Sequence, residues 1–401
     1  MYFIFYLTLT CLGEIVYSQV QENATIVPIE LSRSQMVDGR YINSFNLQYK
    51  LPSFGKIIWW KITAKDNTRL PSDRKALDTL LPVIRHEKPE ELYLNKSGIR
   101  FIWIGHASCY IQMNNFRFLV DPVFSDRCGP RSSLGPKRFR PPALTANDLP
   151  NDLDAVFISH NHYDHLDYSS VMQLNERYGK RLTWFCGRGL QEWFLDEGIS
   201  NVIELDWWEE YYFSVRKYTN TSTEICKLCS LAKRCEYCIL SCSTLVIRLY
   251  LNQWKIFIFV LYNFRSRRTP FDRNKSLWGG FAIWDATHKF YFAGDTGYTN
   301  NIPIFRQIGQ KYGPFDLSAI PIGAYEPRWV MQEQHVSPTE AVRIHMEVQS
   351  NKSIGIHWGT WAMAYEYFLE PPEKLAEAVE NNDLESSSFI VVKHGEVFDL
   401  P

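Results

Sequence analysis

The eight residues His160-Asn-His-Tyr-Asp-His-Leu-Asp167 follow the apolar run Ala155-Val-Phe-Ile158 after a single serine, and they set three imidazoles and two carboxylates at the end of a strand-like segment. In extended backbone successive side chains alternate sides, so His160 and His162 point the same way and can reach one ion. Asp164 and His165 come next on a turning backbone and can address a second ion about 3.5 to 4 Å away, the spacing of hydrolytic two-metal sites. Histidine together with carboxylate suits zinc. A single loop histidine is ordinarily solvated or bonded to backbone, but a cluster this dense points to metal.

A metal needs further ligands, and two other strand ends offer them. Phe290-Tyr-Phe-Ala-Gly-Asp295-Thr-Gly297 reads as a strand that stops at an aspartate between glycines. The glycines permit the sharp turn that aims Asp295 at both ions as a bridging carboxylate. Ile354-Gly-Ile-His357 likewise stops at a histidine, the natural last ligand. The expected metal set is therefore His160, His162, Asp164, His165, Asp295 and His357.

With 45% hydrophobic residues, 401 residues can bury one large core or two ordinary ones. The 43 basic and 44 acidic side chains nearly cancel, so no net field argues for nucleic acid as a partner, and any charged site is local. Residues 1–37 read as a signal or anchor segment. The start is uncharged as far as Glu14, with Val16 and Ser18 suited to cleavage, yet it lacks a basic beginning and is too short to span a membrane. Residues 38–401 read as one domain. Strands are expected at 99–104, 109–113 and 116–121, the last two joined at Asn114-Asn115, and again at 182–186, 281–284, 289–293, 354–357 and 389–393. Helices are expected at 169–178, closed by Gly179, from the capping box Ser337-Pro-Thr-Glu340 through Val348, and at 372–381. Alternating strands and helices make the class α/β with mixed sheets.

Several motifs narrow the reading: Gly105-His-Ala-Ser108, Gly135-Pro-Lys-Arg-Phe-Arg140, Ser159 to Asp167, Val202 to Glu210, Phe292 to Tyr298, Ile320 to Trp329 and Ile356-His-Trp-Gly359. Together they resemble the N-acylphosphatidylethanolamine-hydrolysing phospholipase D family of the metallo-β-lactamase superfamily. The similarity runs from about residue 38 to 210 and resumes near 267. It implies an αββα sandwich of two mixed β-sheets flanked by helices, a site for two Zn2+ ions, and hydrolysis of N-acylphosphatidylethanolamine to N-acylethanolamine and phosphatidic acid. Asp164, Asp295 and His335 are the expected catalytic groups. His335, in Gln334-His335-Val336, suits donation of a proton or hydrogen bond to the phosphate or leaving oxygen, against the alternative of a helix-entry histidine bonded to backbone. Tyr163 and Gln334 are read as substrate contacts. Lys137, Arg138 and Arg140 around Phe139 form a basic loop suited to lipid phosphates, although such runs are more often simply solvated. Ile57-Ile-Trp-Trp60 between Lys56 and Lys61 has the character of an interfacial anchor, with core packing as its alternative. The expected partners are a phospholipid at an intracellular membrane surface and, in a homodimer, a second copy of the chain; the signal-like start leaves the secretory pathway open.

The resemblance breaks at one place. In that family another histidine ligates the first zinc, between the motifs that are Trp207 to Glu210 and Leu277 to Gly279 here, and this chain has no histidine in that interval. The next one, His288, falls in a hairpin turn and takes over no role. Five cysteines from Cys226 to Cys242 and the apolar run 245–262 fill the gap. Its two Cys-x-x-Cys pairs stand closer together than the spacing of about 12 to 20 residues in common zinc knuckles. Residues 217–264 are read as an atypical, poorly packed insertion. Three readings stay open: a competent phospholipid phosphodiesterase, a relative impaired by the absent ligand that binds lipid or a single zinc, and a hydrolase of a soluble phosphate ester or lactone.

Overall fold

The computed structural model describes residues 34–42, 59, 62–63, 67–130, 133–214, 253–260 and 274–401. The strands are β1 (Gln35–Val37), β2 (Arg40–Ile42), β3 (Ile99–Gly105), β4 (Ser108–Met113), β5 (Phe116–Val120), β6 (Ala155–Ile158), β7 (Thr183–Gly187), β8 (Val202–Leu205), β9 (Glu210–Ser214), β10 (Gln253–Val260), β11 (Gly279–Trp284), β12 (Lys289–Phe292), β13 (Phe315–Pro321), β14 (Ser350–Ile356), β15 (Phe389–Ile390) and β16 (Val397–Leu400). Fourteen of them form two seven-stranded sheets, ordered β16-β3-β4-β5-β6-β7-β8 and β15-β14-β13-β12-β11-β10-β9. Each sheet is half antiparallel and half parallel: β3, β4 and β5 pair antiparallel and β5 through β8 parallel. In the other sheet β9 through β12 are antiparallel and β12 through β15 parallel.

Side-chain alternation decides which face each sheet buries. On β3, β5, β6 and β7 the residues Phe101, Trp103, Phe116, Phe118, Phe157 and Phe185 belong to the core shared with the other sheet. Their neighbours Ile102, Ile104, Leu119, Val156, Ile158 and Trp184 turn outward onto Val171, Leu174 and Phe194 of the covering helices Tyr168–Tyr178 and Gln191–Asp196. This is the period of two that a strand buried on both faces requires. Aromatic pairs stitch the sheets together: Phe116 with Trp254 at 4.9 Å, Phe157 with Phe281 at 5.1 Å and Phe118 with Phe290 at 5.9 Å between ring centroids. Ile308, Ala341, Ile344 and Leu375, from the helices Ile304–Tyr312, Pro338–Glu347 and Glu370–Glu380, join the same core. The expected sandwich of two mixed sheets flanked by helices is the fold of this chain.

The capping box forms as its sequence requires, with Ser337 accepting from Glu340 N and the Glu340 carboxylate accepting from Ser337 N. One expectation is corrected. The reading of 217–264 as a poorly packed excursion fails over β10, which lies antiparallel between β9 and β11. Trp254, Ile256 and Ile258 recur at every second position and are buried in the core, so this stretch carries the pattern of an interior strand. Lys255, on the opposite face, lies over the Tyr212 ring. Residues 215–252, with all five clustered cysteines, and residues 1–33 of the expected signal segment 1–37 lie outside the described residues; the end of that segment, Gln35–Val37, is β1, paired with β2. Within the expected anchor only Trp59 is described, and its side chain is 67% exposed, against the core-packing alternative.

Candidate metal centre

β6 ends at Ile158, and Ser159 is immediately fixed by the Asp121 carboxylate, which accepts from Ser159 N at 2.7 Å and from Ser159 Oγ at 2.5 Å. Ser159 Oγ in turn lies 2.9 Å from His160 Nδ1. Past His162 the chain turns, with the amides of His165 and Leu166 donating to the His162 carbonyl, and Asp167 then caps the helix Tyr168–Tyr178. The turn folds His165 back, so that its Nδ1 meets Asp121 Oδ2 at 2.7 Å. Its Nε2 is left 3.2 Å from Asp295 Oδ2 and 3.5 Å from Asp164 Oδ2.

Asp295 sits just beyond β12, after Gly294 at φ 65°. His357, one residue past β14, has φ 64° and places Nε2 3.0 Å from Asp295 Oδ1. On the other oxygen, Oδ2, Asp295 faces His335 Nδ1 at 3.8 Å and His160 Nε2 at 3.9 Å. Asp295 is thus one buried carboxylate surrounded by four imidazoles. Donor atoms gather in overlapping groups, His160 with His162 and Asp295, His106 with Asp164, His165 and His357, and Asp295 with His335 and His357, each group within 4.8 Å. All six expected ligands belong to these groups, and His335 joins them.

Electrostatics match a cation site. Burial opposes ionisation of Asp295, yet His165 and His357 hold its carboxyl well below the usual range, and Asp164 is lowered in the same way by His165 and His106. Burial likewise works against a charged His165, but Asp295, Asp164 and Asp121 together keep its pKa well above the ordinary value. Burial pushes His335 down to about 4 and His106 down to about 3. Both Asp295 oxygens, His165 Nε2, His335 Nδ1 and His357 Nε2 are buried without a hydrogen-bond partner. Buried polar atoms normally have one. Lone-pair donors left over in this number, converging from both sheets, fit one or two divalent cations with nitrogen and oxygen preference.

Other expected site residues are placed differently. Tyr163 packs beside Val123, Cys128 and Trp361, at the flank of the centre. Gln334 adjoins His335, its amide donating to the Met331 carbonyl. Of the basic loop, only Lys137 reaches solvent, its side chain 60% exposed. Arg138 is buried with its guanidinium over the Trp361 ring at 4.4 Å and Nη2 donating to the Val123 carbonyl, and Arg140 is buried in an ion pair with Asp78. The expectation that all three arginine and lysine side chains meet lipid phosphates at the surface is corrected: two of them brace the loop against the core. His288 bonds Thr287 and the Pro401 carbonyl and takes no part in the centre. Two residues were missed from sequence. Asp121 carries the same strand-end aspartate signal that revealed Asp295, and His106 lay inside a quoted motif without a role being drawn from it.

Comparison with known proteins follows the same lines. The β-lactamase superfamily domain matches residues 116–227 and 247–358. The chain is 37% identical over 355 residues to N-acyl-phosphatidylethanolamine-hydrolyzing phospholipase D 1 of Caenorhabditis elegans, covering 87% of this chain and 88% of that one. The chain belongs to the N-acylphosphatidylethanolamine-hydrolysing phospholipase D family. A mitochondrial member from Saccharomyces cerevisiae is 31% identical over 79% of this chain and 58% of its own length. Among solved structures, isothiocyanate hydrolase from Delia radicum gut bacteria superposes with a TM-score of 0.51 at 14% identity, covering 75% of this chain and 99% of that one, which speaks to the fold alone. Membership of this phospholipase D family, the fold and the donor set make the chain a metal-dependent hydrolase. The family's superfamily domain resumes at residue 247, before β10, in keeping with that strand's place in the sheet.

Proposed function

We propose that this chain is a zinc-dependent phosphodiesterase of phospholipase D type that hydrolyses N-acylphosphatidylethanolamine to N-acylethanolamine and phosphatidic acid at an intracellular membrane surface. The observation that carries the reading is Asp295, a buried carboxylate with no hydrogen-bond partner on either oxygen, set among His160, His165, His335 and His357. Bound divalent zinc supplies Lewis acidity toward a phosphate and acidifies water near it. The chain's own groups do the rest: Asp121 and Ser159 lock the imidazoles of His165 and His160, and Asp164 and Asp295 supply the negative charge that holds cations. His335 presents Nδ1 toward the centre from the turn just before the helix Pro338–Glu347, where it can hydrogen-bond a phosphate or leaving oxygen. Tyr163 and Gln334 flank that position as substrate contacts. Exposed Trp59 and Lys137 suit an interfacial lipid surface, and no helix among the described residues is long and apolar enough to cross a membrane. A homodimer belongs to the same reading.

The impaired reading is favoured by a specific observation: the chain has no histidine between His165 and His288, so the group His160, His162 and Asp295 counts three donors among the described residues. Water can complete such a shell, at a cost in affinity. The test is hydrolysis by zinc-loaded chain of vesicles containing N-acylphosphatidylethanolamine in 18O-water. Label in phosphatidic acid, with none in the N-acylethanolamine, supports the reading. No product while metal is bound supports the impaired relative, and faster turnover of soluble phosphate esters or lactones overturns the lipid assignment.

A further inference from the structure

Among the residues without an assigned role, His106 is the one most completely tied to the centre. It occupies the turn between β3 and β4 at φ 54°, a left-handed conformation that a non-glycine residue rarely holds. Its amide donates to Thr360 Oγ1 at 2.8 Å, and its carbonyl accepts from His357 N at 2.9 Å and from Trp103 Nε1 at 2.8 Å. Its ring Nε2 lies 3.0 Å from Asp164 Oδ2. Thr360 is held in turn: its hydroxyl lies 3.2 Å from both the Trp358 carbonyl and His394 Nε2. A hydroxyl has one proton, so donation to Trp358 O makes His394 the donor from Nε2 and leaves both oxygen lone pairs filled by N–H groups. The His394 ring is stacked on Trp103 at 4.0 Å, 23° from parallel, and is fully buried.

We propose that His106 is a positioning residue for Asp164: its Nε2–H fixes the plane of that carboxylate toward the metal centre, and Thr360 with His394 holds His106 in place. The proposal rests on the metal-centre reading above. His106 also stands within 4.8 Å of the donors Asp164, His165 and His357. Two features distinguish positioning from ligation. His106 Nε2 is in hydrogen-bonding geometry with Asp164 Oδ2, whereas His165 Nε2 and His357 Nε2 are buried without such a partner, and a carboxylate only accepts, so the nitrogen facing it carries a proton. Both backbone groups of His106 are used by the other sheet's loop, which fixes where the ring can reach. The arrangement inverts the usual pairing in which an outer carboxylate orients a ligating histidine, and a loss of comparable size is expected.

The test is Co2+ titration of the full zinc-free chain, read by equilibrium dialysis and by visible absorption of the bound ion. His106→Phe should weaken binding about 10- to 100-fold and alter the absorption band, and His106→Gln, which keeps an N–H at the reach of Nε2, should recover both. Binding and spectrum unchanged in His106→Phe overturn the proposal alone. A His106→Gln chain as weak as His106→Phe, with its thermal transition intact, makes His106 a ligand and also overturns it. No Co2+ bound by the unaltered chain sinks the metal-centre reading and this proposal with it. Should His106→Phe not fold, Thr360→Val replaces it, with weaker binding recovered by Thr360→Ser expected and unchanged binding decisive against.

Discussion

His165 stands between two carboxylates, with Nδ1 2.7 Å from Asp121 Oδ2 and Nε2 3.2 Å from Asp295 Oδ2. Asp121 accepts from Nδ1–H and so aims Nε2, the nitrogen that would face a cation, at the centre. Asp121→Asn should therefore lower metal affinity about 10- to 100-fold, measured by dialysis against Zn2+. Equal affinity in the variant would show that the ring is oriented by its surroundings alone.

Asp295→Asn removes the shared charge while keeping nearly the same volume. Hydrolysis should fall at least about 100-fold, beyond the range of a lost outer partner, with the far-ultraviolet circular dichroism unchanged. Substantial turnover at full metal content contradicts a bridging carboxylate.

Chelation should destabilise the chain as well as silence it. A ligand held at about 100 times its Kd contributes about 2.7 kcal/mol to stability, so stripping metal should lower Tm, and adding Zn2+ should restore it in a concentration-dependent way. A Tm indifferent to metal argues against a centre joining both sheets.

Phe157 lies at the middle of the aromatic core, stacked on Phe185 at 4.8 Å and edge-on to Phe281 at 5.1 Å. Phe157→Ala should cost about 3 to 5 kcal/mol, the range for large aromatic truncations in a close-packed core, read from urea unfolding. A loss below about 1 kcal/mol would mean the two sheets re-close over the cavity.

His345, on the helix Pro338–Glu347, is bonded to Ser353 Oγ at 2.8 Å, and burial lowers its pKa from 6.5 to about 4. Its folded pKa is depressed, so between those values the unfolded chain binds more protons than the native one, and stability falls as pH drops through that window. His345→Gln should flatten this part of the stability profile. An unaltered slope assigns the acid sensitivity elsewhere.

Much of this was legible in the sequence because strand ends announce themselves. His160, Asp295 and His357 each close an apolar run, and period two turns a run of known end point into a direction in space. The missed residues lacked one of these cues or hid it. His106 follows β3 only as half of a tight turn, and its partner Asp164 is a tertiary neighbour. Arg138 and Arg140 read as surface charge because pattern alone does not show Trp361 and Asp78 folding over them. β10 is obscured by its setting: Arg248 and Lys255 interrupt the apolar run, and the alternation of Trp254, Ile256 and Ile258 is short against the length of that run.

The strand β16, from the far end of the described chain, pairs antiparallel with β3 and so completes the sheet that β3 begins. Until Val397–Leu400 arrives, Ile99 to Ile102 present an open row of amides and carbonyls. During synthesis that edge stays exposed from the time β3 is made until the chain is almost finished, and an exposed strand edge invites pairing with another chain. Closure across almost 300 residues also gives the fold a high contact order and slow assembly. A chain cut short by its last strand would retain every residue of the metal centre and yet be expected to aggregate rather than work.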